Sequence, residues 1–184
     1  MNRTLALSAS ILLCLAAATA HAEEPRPLGL SLAWFGESVS HPGARLAVEY
    51  DAAHADGHAL VVGAGLGFWA HRGRDTAAFF TGDLGYRHTF SRGFVVELFG
   101  HLGVVEDFLA GAAFTPGDAG FVPSGVVANT AFIGGGTLGL GWDFTAATGV
   151  PLALTLRLTA LAETPVNQVA LLHPATQLAL TWKL

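Results

Sequence analysis

From Leu28 to Leu184, large apolar residues recur at every second position, with small, polar or charged residues between them. Leu28, Leu30, Leu32 and Trp34 alternate with Gly29, Ser31 and Ala33. A repeat of two is the pattern of a strand whose two faces meet different surroundings. The longer repeat of a half-buried helix is absent. Further runs begin at Leu46, Leu60, Phe80, Phe94, Phe132, Leu152 and Leu178. Together they predict eight strands, all with large apolar residues at even positions. The opposite face is small or polar, as in Gly63, Gly65, Gly67, Trp69 and His71, or Thr155, Arg157 and Thr159.

A soluble sandwich alternates in the same way, so length has to decide. The runs span about 9–14 residues, against about five to six for a soluble strand and about 9–11 for a tilted strand crossing a bilayer. Aromatic residues stand near the ends of the apolar faces: Trp34, Tyr50, Phe68, Tyr86, Phe94, Trp142, Phe144 and Trp182. Such girdles belong at the two interfaces of a membrane barrel, the closed form that lets a sheet satisfy its backbone in lipid. The fold class expected is therefore all-β, a closed antiparallel up-and-down transmembrane β-barrel of eight strands. The connections Ala52–Gly57, Thr89–Gly93 and Thr145–Pro151 are short and fall at one end. Gly36–Gly43, Arg72–Asp75, Glu106–Ala128 and Glu163–Pro174 fall at the other and include the two longest, matching short periplasmic turns and long outer loops.

Composition sharpens this picture. The chain is 52% hydrophobic and 12% charged, against about 25% charged in a soluble domain, which excludes disorder. A formal net charge of −5 without basic patches argues against nucleic acid as a partner. Residues 1–22 read as a secretory signal peptide: Arg3, an apolar stretch from Leu5 to Ala18, and a small-x-small site at Ala20-His21-Ala22. The expected organisation is that leader followed by one barrel domain over 23–184. Cys14, the one cysteine, lies in the leader behind Leu13, which is no lipidation signal, so the mature chain has neither disulfide nor thiolate.

The whole pattern, with Gly85-Tyr86-Arg87-His88-Thr89-Phe90 and the closing Leu178-Ala179-Leu180-Thr181-Trp182-Lys183-Leu184, resembles the small outer-membrane β-barrels of Gram-negative bacteria, such as the OmpA membrane domain and the OmpX-like and OmpW-like proteins. The resemblance implies the cell outer membrane, with its lipid, lipopolysaccharide and the barrel assembly machinery as partners, and a monomer. Members usually end in Phe or Trp; here Leu184 is last, with Trp182 two before it.

An eight-stranded barrel leaves room for little beyond its own side chains. Its inward face should carry Glu49, Asp51, Asp83, Glu97 and Asp143 against Arg87, Arg157 and Lys183, a paired network that plugs the lumen. His101 is expected inward near Glu97. No histidine pair has convincing zinc spacing, and no cofactor or metal is expected. The alternative is a lipid-modifying enzyme or a carrier of a small hydrophobic ligand, in the manner of PagP or PagL. The His-x-Ser of PagL-like deacylases does not occur in this sequence. Inward glycines at 63, 65, 67, 135, 139 and 141 would leave a slot for an acyl chain. The long connection Glu106–Ala128 holds Phe108, Phe114 and Phe121 and is the expected interaction element, since loops of this length are usually functional or disordered. The leading expectation is a non-enzymatic envelope protein whose outer loops carry a structural or interaction role.

Overall fold

The computed structural model describes residues 28–36, 41–71, 75–109, 113–117, 120–124, 128–166 and 169–184. The leader assigned to residues 1–22 lies outside them. Among the described residues there are ten strands: β1 (Leu28–Gly36), β2 (Pro42–Ala55), β3 (His58–His71), β4 (Asp75–Thr89), β5 (Phe94–Leu109), β6 (Ala113–Gly117), β7 (Gly120–Ser124), β8 (Ala128–Asp143), β9 (Leu152–Val166) and β10 (Val169–Lys183). Eight form a closed antiparallel barrel in the order β1-β10-β9-β8-β5-β4-β3-β2, while β6 and β7 make a separate hairpin. β1 closes on β10 from Gly29 opposite Lys183 to Gly36 opposite Thr176, so the barrel has no open edge.

The register explains the sidedness. Leu30 lies opposite Val48, then Ala64, Gly82, Leu102, Gly134, Ala162 and Leu172 in turn, even position against even position. Followed round the barrel, this register advances about ten residues before returning to β1, a stagger that tilts the strands by about 40–45°. Even positions such as Leu32, Leu66, Leu102 and Leu158 face outward; odd ones such as Ser31, Arg45, Glu97 and Thr159 are buried inside. Two irregularities interrupt the rule, one at the start of β10 between Val169 and Leu171, the other in β2. A register shift between Asp51 and Ala53 sets His54 opposite Ala59, which turns His54 to the interior side.

The outward face is a band of exposed leucine, valine and phenylalanine, with Leu102 72% exposed. Water does not tolerate so continuous an apolar belt, and the largest apolar patch of a soluble monomer is about 300–600 Å². Tyr50, Tyr86, Phe94, Trp142 and Trp182 ring the short-turn end; Trp34, Phe68 and Phe132 stand toward the other. On β5 the band ends at Glu106, an outward carboxylate that accepts a hydrogen bond from Thr130 Oγ1.

Tight turns set the short end. Asp56 (φ 51°) and Gly57 (φ 81°) both sit in the left-handed region, as the two-residue turn that matches strand twist requires. Between β8 and β9 a single helical turn, Thr145–Thr148, stops at Gly149, whose N–H bonds the Thr145 carbonyl at 2.9 Å.

The strands outrun the alternation of large residues. The connection expected at Glu163–Pro174 is mostly sheet, because β9 reaches Val166 and β10 begins at Val169. The outward positions at the outer end of β9 are Ala160, Ala162 and Thr164, too small to register as an apolar stripe. β2 likewise starts at Pro42, four residues before its first leucine. Phe108, expected in a loop, stands on β5 itself.

Candidate functional site

Inward side chains repeat every second residue, so the tilted strands stack them in levels along the lumen. Toward the short turns, Arg87 Nε donates to Glu97 Oε1 at 2.7 Å, and its other nitrogens reach Asp51 at 3.3 Å and Glu49. Arg157 Nε donates to the second oxygen of Glu97 at 2.8 Å, and its Nη2 to Glu49 Oε1 at 3.1 Å. The Arg157 guanidinium also lies 5.4 Å from the centre of the Phe99 ring, a cation–π contact. Two guanidiniums thus hold three carboxylates, joining β2, β4, β5 and β9 across the lumen. Below this level Lys183 pairs with Asp143 beside an open cleft of about 210 Å³, lined also by Asp51, His54, Arg87 and Thr89.

The next level is a hydrogen-bonded chain. Arg45 Nη2 donates to Thr81 Oγ1 at 3.1 Å and to Asp83. His101 Nδ1 lies 2.6 Å from the other oxygen of Asp83, and His101 Nε2 lies 2.7 Å from Thr137 Oγ1. Thr137 and Thr159 hydroxyls are 2.6 Å apart, and Gln177 Nε2 donates to Thr159 at 2.7 Å. His101 therefore belongs with Asp83, not with Glu97 as its sequence neighbourhood suggests; Glu97 is saturated by two arginines. Beyond this chain lies an apolar level of Phe35, Trp69, Phe79, Val105, Ile133 and Leu161. Phe35 stacks on Trp69 with centroids 5.9 Å apart.

A polar mouth tops the stack. His71 Nδ1 lies 2.5 Å from Asp75 Oδ1, and His173 Nε2 lies 3.1 Å from Glu163 Oε2. Asp107, farther along β5 at this end, lies beside Glu163.

The inward glycines make room for this packing. A methyl built on Gly65 falls 2.4 Å from the Arg45 guanidinium, and one on Gly85 falls 2.1 Å from the Phe99 ring. The space that glycine leaves is thus filled by a long neighbour from the adjoining strand.

All nine charged or histidine residues read from the sequence as lumenal, Glu49, Asp51, Asp83, Arg87, Glu97, His101, Asp143, Arg157 and Lys183, face the interior. Thr137, Thr159 and Gln177, polar positions of the inner face by the same alternation, complete the levels, and Arg45, Glu163 and His173 escaped that reading. Parity marks Arg45, which is odd-numbered like Glu49 on the same strand. Of the three loop aromatics, Phe114 and Phe121 stand exposed on the β6–β7 hairpin, on one side of the ribbon, since Phe114 pairs with Pro123. Phe108 is an outward residue of the barrel wall.

No family model and no curated protein matches the sequence. Among solved structures, the surface protein NspA of Neisseria superposes with a TM-score of 0.50 at 11% identity, over 86% of this chain and 94% of its own. The fold is that of the small outer-membrane β-barrels. Ail of Yersinia pestis aligns over 87% of this chain and all 100% of its own, at 13% identity and a TM-score of 0.46. The outer membrane enzyme PagL aligns over 86% and 98%, at 15% identity and 0.41. At such identities the likeness is one of architecture. In an outer-membrane barrel the short turns are periplasmic, which puts the arginine–carboxylate level near the periplasm and the His71–Asp75 mouth outside.

Proposed function

We propose that the protein is an integral outer-membrane β-barrel with a closed lumen and a structural or interaction role at the cell surface. The observation that carries this reading is the stacking of paired side chains along the lumen, next to a hairpin whose Phe121 is 77% exposed. The two spaces bordering the His101 level hold about 10 Å³ each, too little for a solute or an acyl chain. Gly65, Gly67 and Gly85 face arginine or phenylalanine side chains, and Gly63, Gly135 and Gly141 abut the backbone of the next strand, which argues against the ligand-carrier alternative. Phe114 and Phe121 are the contact residues of this reading, with Phe108 below them on the wall. Lipid, lipopolysaccharide and the assembly machinery are the partners it requires, and the barrel acts as a monomer.

The test has two arms. Purified barrel in a planar bilayer passes no stepwise current, and a photo-crosslinker at Phe121 in whole cells gives a defined adduct that one at Val122, on the other side of the ribbon, does not. Discrete conductance steps contradict the closed lumen. Equal labelling from both positions contradicts the hairpin's role.

A further inference from the structure

Two small spaces flank the hydrogen-bonded chain through His101, and their walls differ. The one toward the mouth is mostly apolar, lined by Phe35, Phe79 and Leu161, and it shares Arg45, His101 and Gln177 with the other space. The one toward the arginine level is lined by Arg45, Glu49, Asp83, His101, Arg157 and Gln177, among others. Each holds about 10 Å³, close to the 10–15 Å³ needed for a single water.

One wall residue has an unmet need. Gln177 is 2% exposed; its Nε2 donates to Thr159, while its Oε1 has no partner among the described residues. If the amide is turned over, the oxygen accepts from Thr159 and the nitrogen is stranded instead, so one polar end is left over either way. An unsatisfied buried amide group costs about 1–3 kcal/mol. Relief is cheap where a water fits and finds two to four polar partners.

We infer that the space toward the arginine level is a binding site for one resident water molecule, bridging the Gln177 amide to the charged groups below it, while the space against Phe35, Phe79 and Leu161 stays dry. The water accepts from guanidinium N–H groups and donates to Gln177 Oε1 and a carboxylate. It joins the chain Asp83–His101–Thr137–Thr159–Gln177 to the arginine–carboxylate level. The inner half of the lumen becomes one hydrogen-bonded body, ending at the apolar level around Trp69.

The experiment is water-to-protein cross-relaxation by NMR on the full barrel in lipid nanodiscs, read at carbon-bound protons, which do not themselves exchange, with the Gln177 variants separating a held water from signal relayed through neighbouring N–H and O–H protons. A held water gives signals at the Phe99 ring and the His101 ring C–H and none at Phe79 or Leu161. Gln177→Leu removes the anchor and lowers the Phe99 and His101 signals to background. Absence of those signals in the unaltered protein overturns the site. So does equal signal at Phe79 and Leu161, which means a lumen wet throughout, or full signal retained in a folded Gln177→Leu barrel. Gln177→Met serves as a second variant if the leucine form does not fold.

Discussion

Replacing Arg157 with methionine tests the arginine–carboxylate level most severely. The side chain is 3% exposed and bonds Glu97 at 2.8 Å and Glu49 at 3.1 Å. Without it, Glu49, Asp51 and Glu97 face Arg87 alone, so three buried carboxylates share one cation. Two charge-assisted hydrogen bonds are lost, at about 1.5–3 kcal/mol each. Removing one partner of a buried pair costs about 3–5 kcal/mol by itself, so a loss near 4 kcal/mol is expected. Glu97→Gln is the informative contrast. It leaves two carboxylates against two guanidiniums, keeps an acceptor in place, and should cost only about 1–2 kcal/mol. At about 1.4 kcal/mol per factor of ten, the two variants differ by roughly a hundredfold in the folding equilibrium. Reversible urea unfolding in lipid vesicles, followed by tryptophan fluorescence, measures both. Equal costs, or two costs below about 1 kcal/mol, refute the idea that charge balance in this level stabilises the barrel.

Two further outcomes follow from other parts of the molecule. Gly85→Ala drives a methyl to within 2.1 Å of the Phe99 ring and should destabilise by about 1–3 kcal/mol, with Phe99→Leu in the same chain recovering much of the loss in the same unfolding assay. Leu102→Arg places a charge on the lipid face and should cost about 2–4 kcal/mol, whereas Glu106→Arg at the end of the band should cost about 0–1 kcal/mol.

Alternation made the barrel legible, because lipid outside and a polar lumen inside impose a strict repeat of two on every strand. Leu152, Leu154, Leu156 and Leu158 are even-numbered, while Arg157 and Thr159 are odd, and the fold uses that difference directly. The ends of the strands were less legible. Around Ala160, Ala162 and Thr164 the outward residues shrink, so the apolar signal fades while the backbone ladder continues to Val166. Partners across the lumen were not legible either. Asp83 lies 18 residues from His101 and Arg157 lies 108 from Glu49, and only the register brings them together. The aromatic level around Trp69 shows the same limit: Trp69 reads as inward, but its stacking with Phe35 depends on where β1 ends.

The most direct measurement is a scan of single cysteines from Leu178 to Trp182 on β10, each carrying a fluorophore and read against a lipid-borne and a water-borne quencher in nanodiscs. In a closed membrane barrel, positions 178, 180 and 182 are quenched from the lipid, while 179 and 181 are shielded from it. A scan with no repeat of two, or one in which the odd positions meet the lipid quencher, would contradict the barrel as a membrane-spanning structure with its even face outward.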